Sequence, residues 1–331
     1  MSPVMHSAQL FLLAFVLFLA LGSLAAAALS RALKPRIAGW EPRTRHRALV
    51  VLASLPVLTS LVLLLATSLP SLIALAIPEL DHCPEHDDGH AHLCFMHLPE
   101  FGASLVPLLA LVFTFSYAFV RGAFSAAGLV KATRIVNALA KTAERRTDLG
   151  IAVIETTQPV CLAAGLLRPR VLLSRGLLEA LNAEELAVVL AHERAHVRRR
   201  DALVASIVRA LAVVHLPAVA RWLLSELEIA AEQACDEEAA RCVGDRVAVA
   251  SAILTVERTA QHAATSELCA VAVAFGKCAV ARRVESLLAE PKEPASLRPF
   301  AIGLGVTAVS LFALADELHH ATESLLSFIA H

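Results

Sequence analysis

Charge is scarce in this 331-residue chain: Asp, Glu, Lys and Arg together make 18%, the formal net charge is −1, and aromatic residues reach only 5%. A dedicated nucleic-acid binder needs a basic surplus against phosphate, and none is present. Seven cysteines in such a length exclude a small disulfide-built scaffold. Ala, Leu and Val fill the gap, and the hydrophobic fraction of 57% exceeds the ~45–50% of ordinary soluble proteins. That excess excludes a disordered chain and points to membrane helices.

Basic residues are missing in blocks. Met1–Ser30 holds no Asp, Glu, Lys or Arg, and Leu10–Leu29 is apolar almost throughout; about 20 such residues cross a bilayer core. A cleaved signal peptide has its basic residues before the apolar run, whereas Arg31, Lys34, Arg36, Arg43, Arg45 and Arg47 come after it. The positive-inside rule puts that loop in the cytoplasm and the N-terminus outside. Ala48–Pro78 is a second uncharged stretch, in which Pro56 and Pro70 are expected to kink the helix or split off an interfacial piece. No Lys or Arg occurs between Arg47 and Arg121, and Glu79–Glu100 carries six acidic residues, so this loop is assigned to the outside. Phe101–Val120 returns through the membrane, and Pro299–Ala315 is a short final apolar run. The expected organisation is a three-helix membrane region over 1–120, a cytoplasmic domain over 121–298, and a fourth membrane helix with a short outer tail over 299–331. The chain is placed in the cell (inner) membrane as a multi-pass protein in contact with the lipid bilayer.

The chemistry lies in the cytoplasmic part. Asn182 followed by Glu185 is an N-cap with a reach-back partner, and the helix it opens carries His192-Glu193-Arg194-Ala195-His196. Residues i and i+4 share a helix face, so both imidazoles can reach one zinc ion, with Glu193 beside it to take a proton from water. Catalytic zinc sites use three protein ligands. The third is expected from a helix over Trp222–Cys242, terminated near Gly244, which carries Glu228, Glu232 and Asp236 one turn apart. Spacing does not choose between Glu228 and Glu232. One acid of the Glu232/Asp236 pair can ligate while the other anchors an imidazole. Ile151–Glu155, Val160–Ala163 and Arg170–Ser174 are expected as short strands, one edge of which can take an extended substrate by strand addition. Ala202–Ser225, interrupted by Arg209, His215, Pro217 and Arg221, is too short for the two crossings that would return the chain to the same compartment. The cytoplasmic cysteines, Cys161, Cys235 and Cys242 among them, are taken as reduced packing residues.

These residues resemble the BlaR/MecR family of membrane zinc metallopeptidases. The likeness rests on His192-Glu193-x-x-His196 with the basic run into Asp201, on Glu232-Gln-Ala-Cys-Asp236-Glu-Glu-Ala, on the upstream stretch Pro159–Ser174, and on Arg283-Val284-Glu-Ser-Leu287-Leu288. The resemblance implies a mainly α chain: multi-pass membrane helices with an inserted α+β, gluzincin-like zinc peptidase domain and a small sheet. It further implies that His192, His196 and Glu232 bind Zn²⁺, that Glu193 is the general base, that Asp236 supports a ligand from behind, and that the substrate is a protein such as a winged-helix repressor. A neighbouring type, the HtpX and prenyl proteases, shares both motifs but usually places two crossings between them.

The antibiotic-sensing members of that family carry a penicillin-binding domain outside the last membrane helix, and this chain ends 16 residues after Ala315; a β-lactam response is therefore not expected. The outer loop instead holds His82, Cys83, His86, His90, His92, Cys94, Met96 and His97, a ligand set suited to a second metal, copper or zinc. A Cys83–Cys94 disulfide and a solvated acidic tether are the competing readings of the same loop. Two function classes follow: a regulatory zinc endopeptidase acting in signal transduction, with an HtpX-like quality-control protease as its variant, and a metal-sensing membrane protein whose HExxH site is not proteolytic. A transporter would carry ionisable groups inside its crossings, and these spans have essentially none.

Overall fold

The computed structural model describes residues 3–80, 93, 105–263, 279–292 and 294–330. Three helices are long and apolar enough to cross a membrane: α1 (Pro3–Ile37), α2 (Pro42–Ala76) and α3 (Leu105–Thr142). Pro56 and Pro70 lie inside α2, which runs unbroken through both. The expected split does not occur; the hydroxyls of Ser54 and Thr67 donate one turn back along the same helix, to the carbonyls of Val50 (2.8 Å) and Leu63 (2.9 Å).

The expected division at 120/121 falls inside α3. Arg121, Lys131 and Arg134 sit on the surface of a continuing helix, and surface charge does not end one. After it come β1 (Glu144–Arg146), β2 (Ile151–Ile154), β3 (Cys161–Ala164) and β4 (Arg170–Ser174). They form a mixed sheet of order β1-β2-β4-β3, parallel only between β2 and β4. Side chains alternate across it. Ile151, Val153, Val171 and Leu173 pack on the following helices, whereas Ala152, Ile154 and Leu172 face Val136 and Leu139 of α3.

The helical layer is α4 (Arg175–Ala180), α5 (Ala183–Arg199), α6 (Asp201–Leu211), α7 (Pro217–Val243), α8 (Arg246–Ala263) and α9 (279–288). Ala202–Ser225 becomes α6, a 3₁₀ turn and the first turns of α7, and supplies no candidate span. The C-terminal run is α10 (Arg298–Ala313) followed by α11 (Ala315–Ala330), bent by 74°. The tail expected after 315 is thus a helix, folded against α2: His319 is fully buried and its Nδ1 lies 2.6 Å from the Thr67 carbonyl oxygen.

At 1.5 Å per residue, the 35 residues of α2 span about 52 Å against a hydrocarbon core of about 30 Å. The helix is thus longer than one crossing needs, and its first turns pack on α7: Leu49, Leu52 and Leu55 share one core with Val208, Leu223 and Leu227. Gly22 lets α1 approach α2 closely, since a Cβ there would sit 2.8 Å from Pro56 Cα. Gly22→Leu should therefore force the pair apart and cost about 1–3 kcal/mol. Thermal unfolding in detergent measures this, and an unchanged melting temperature would refute the close packing.

Candidate metal centre

Helix α5 starts with a reciprocal cap: the Glu185 N–H donates to Asn182 Oδ1 (2.9 Å) and the Asn182 N–H to Glu185 Oε2 (3.1 Å). The helix ends at Arg200, a non-glycine residue in the left-handed conformation (φ 54°, ψ 42°), which costs about 1–2 kcal/mol. This one residue turns the chain so that Asp201, the first residue of α6, comes back onto His196. The 27-residue helix α7 lies against α5 and brings Glu232 and Asp236 to the two histidines.

The two Nε2 atoms of His192 and His196 are 3.1 Å apart, and Glu232 carboxylate oxygens lie 3.5 Å and 3.3 Å from them. Three donors at about 2.0–2.1 Å from a tetrahedral ion stand about 3.3 Å from one another. The separations, measured to the Oε2 and Oε1 of the one carboxylate, match the donor spacing of such a coordination sphere. Each imidazole is also gripped from behind: His192 Nδ1 is 2.9 Å from Asp236 Oδ1, and His196 Nδ1 is 2.8 Å from Asp201 Oδ2. A carboxylate on Nδ1 holds the proton there and turns the Nε2 lone pair to the centre. By donor type, spacing and orientation, these residues fit a divalent metal.

Arg283 of α9 closes the arrangement. Its guanidinium donates twice to Asp236 (2.8 and 2.7 Å) and lies 3.0 Å from Glu232. Burial would raise the pKa of both acids, but Arg283 and His192 hold Asp236 below the usual carboxylate range, and His192, His196 and Arg283 hold Glu232 well below it. Asp201 is lowered likewise: His196 and Arg199 outweigh its burial. Burial opposes charge on His196, yet bonds to Asp201, Cys235 and Glu232 push its pKa up to about 12.

Glu193 is buried on the adjoining turn, in a cleft of about 580 Å³. Its neighbour is Cys161 of β3, whose thiol burial pushes up, with the Glu193 carboxylate adding to the effect. Glu228, the alternative third ligand, is elsewhere: it is exposed and faces Arg209 at 3.5 Å. The outer-loop residues His82, Cys83, His86, His90, His92, Cys94, Met96 and His97 lie outside the described residues.

A family model described as BlaR1 peptidase M56 matches residues 103–287, more than half of the chain. The chain belongs to the M56 peptidase family. It is also similar to three proteins named protease HtpX homolog. One from Salinibacter ruber is 28% identical over 149 residues (36% of this chain, 54% of the relative). Those of Desulfatibacillum aliphaticivorans and Aquifex aeolicus are 48% identical over 54 and 56 residues, 16% of this chain and 17% and 18% of theirs. The chain thus spans about half the length of the first of these relatives and less of the others. No solved structure matches it. The M56 match contains every residue of the metal centre, and the membrane helices α1 and α2 precede it.

Three residues at this M56 centre were not recognised as parts of it from sequence. Asp201 stands five positions after His196, off the helical repeat, and reaches it only through the Arg200 turn. Arg283 is 47 positions from Asp236; its place in the Arg-Val-Glu-Ser-Leu-Leu segment was the sole signal. Cys161 meets Glu193 only because β3 borders the cleft.

Asp236 is 1% exposed and pairs with both Arg283 and His192, so Asp236→Ala strips two buried groups of a partner and should cost about 3–5 kcal/mol. Combining it with Arg283→Met should recover only part of that loss, because the guanidinium also pairs with Glu232 (3.0 Å). The acids also set a pH slope. With folded pKa values below the unfolded ones, Asp201 and Asp236 give stability that is present above about pH 4 and lost as pH falls through their folded values. Denaturant midpoints from pH 3 to 7 should drop at the acid end for wild type and drop less for the double variant. Parallel curves would refute this assignment.

Proposed function

We propose that this M56 family protein is a membrane-bound zinc endopeptidase with a cytoplasmic active site. The convergence of His192, His196 and Glu232 in a triangle of 3.1–3.5 Å supports the reading most directly, and the HtpX-named relatives favour proteolysis over a binding role. His192, His196 and Glu232 would hold the metal, which supplies Lewis acidity toward water and the scissile carbonyl. Glu193, on the adjoining turn and screened from bulk water, accepts the attacking water's proton and passes it to the leaving amine nitrogen. Asp236 and Asp201 keep the ligand imidazoles oriented. Strand β3 pairs on one side only and borders the cleft, so it is the edge on which an extended polypeptide can lie.

The target we favour is a cytoplasmic protein in regulated proteolysis, a winged-helix repressor being the family-implied example. Membrane quality control is the second reading, and the HtpX-named relatives favour it. The outer loop, with its His, Cys and Met residues, is proposed to bind copper or zinc as the inducing signal. Its neighbourhood offers a route: the Leu93 N–H donates to Glu323 of α11 and its carbonyl accepts from Ser71 of α2, and α2 continues to the metal centre. No nucleic-acid contact is proposed.

Glu193→Ala should keep zinc and lose hydrolysis by at least about 10²-fold, whereas His192→Ala, His196→Ala or Glu232→Ala should lose both. Glu228→Ala should lose neither. Metal content by mass spectrometry and casein hydrolysis in micelles decide it, and zinc loss in Glu228→Ala with retention in Glu232→Ala would overturn the ligand set. Sidedness is tested separately. An impermeant maleimide on intact, reduced cells should label Cys83 and Cys94 and spare Cys242, an exposed thiol. Labelling of Cys242 from outside would reverse the topology.

A further inference from the structure

A second hollow adjoins the cleft at the end of the sheet where β2 and β4 begin. It measures about 380 Å³, and Arg145, Arg146, Arg170 and Arg194 line it over an apolar floor that includes Ile151 and Val171. Two carboxylates stand near these four arginines, and both are occupied: Asp148 by Arg146 (3.0 and 2.7 Å) and Glu144 by Arg175 (3.5 Å). Arg194 is braced by the Leu149 carbonyl at 2.7 Å. Among the described residues, Arg145 and Arg170 form no ion pair, and both are exposed.

Position gives this charge a meaning. Pro169 lines both the cleft and the hollow, so the two concavities meet at the β3–β4 turn. The turn is tight: Gly165 has φ +107°, and a Cβ there would lie 2.8 Å from the Arg168 carbonyl oxygen. It holds Ala164, the last residue of β3, opposite Arg170. A strand laid along β3 in either direction therefore has one end passing toward these arginines. Guanidinium forks bind carboxylates in pairs of parallel hydrogen bonds, and the apolar floor suits side-chain methylenes.

We propose that Arg145, Arg146, Arg170 and Arg194 bind an acidic stretch of the substrate polypeptide, lying to one side of the bond presented to the metal centre. The inference rests on the peptidase reading, but its test does not depend on turnover. Full-length Glu193→Ala protein in micelles would be titrated with dye-labelled dodecapeptides bearing a Glu-rich half on the N-terminal side, on the C-terminal side, or Gln in both. One Glu arrangement should bind about tenfold tighter than the Gln peptide, with the gain shrinking at high salt. Arg145→Gln/Arg170→Gln should abolish the gain without altering Gln-peptide binding, and Arg145→Glu/Arg170→Glu should transfer it to a Lys-rich peptide. Equal binding of all peptides, a Glu preference surviving the double variant, or an arginine-dependent preference for anionic lipid vesicles with none for peptide would each overturn the proposal. Failure of the peptidase reading would appear differently, as equal casein hydrolysis by wild type and Glu193→Ala.

Discussion

Two carboxylates behind two imidazoles organise this molecule. Asp236 and Asp201 each take the outer nitrogen of a histidine, and only then do the inner nitrogens face each other and Glu232. Such packing of acids is unstable alone, because like charges in a poorly solvated place repel. Arg283 and Arg199 offset it, one on Asp236 and Glu232, the other on Asp201. Much of the helical layer can be understood from that need. α7 carries the acids, α9 carries the arginine, and the strained corner at Arg200 exists to deliver Asp201.

The membrane helices are part of the same framework. Arg45 of α2 donates to Gln233, next to Glu232, and Gln233 in turn donates to the Arg282 carbonyl at 2.7 Å. His46 stands 4.0 Å from Asp201, and His215 Nε2 donates to the Ala53 carbonyl oxygen, 3.0 Å away. The first turns of α2 therefore touch residues flanking α5 and α7, the helices that carry the His and Glu cluster. At its other end α2 meets α11 and Leu93. One continuous helix, stiffened by its hydrogen-bonded backbone, joins the two ends of the protein.

How much was legible in the sequence follows from the range of each interaction. The α5 helix, its cap and its HExxH face depend on neighbours three or four positions away, and they stand as read. So do three of the four strands, whose alternation is local. That Glu232 and not Glu228 comes to the two histidines depends on the α5–α7 packing, which spacing along one helix cannot express. Asp201 was hidden by a left-handed residue that no glycine announces. The division expected at 120/121 rests on charge, whereas α3 continues to Thr142 with Lys131 and Arg134 on its exposed face. Pro56 and Pro70 lie inside α2 without splitting it, and the packing of α2 on α1, α7 and α11 is long-range and not written in its own stretch of sequence.

The seam between α2 and α7 bears on what counts as the peptidase. The family match begins at residue 103, yet Leu49, Leu52 and Leu55 share a core with Leu223 and Leu227, and Arg45 supports Gln233. A fragment cut at the start of the match would uncover an apolar flank of α7 and release one side of the ligand helices. The portable unit is therefore larger than the segment that the family model matches. Exchange of catalytic portions between related proteins has to carry the first turns of the second membrane helix along, or rebuild that surface by substitution.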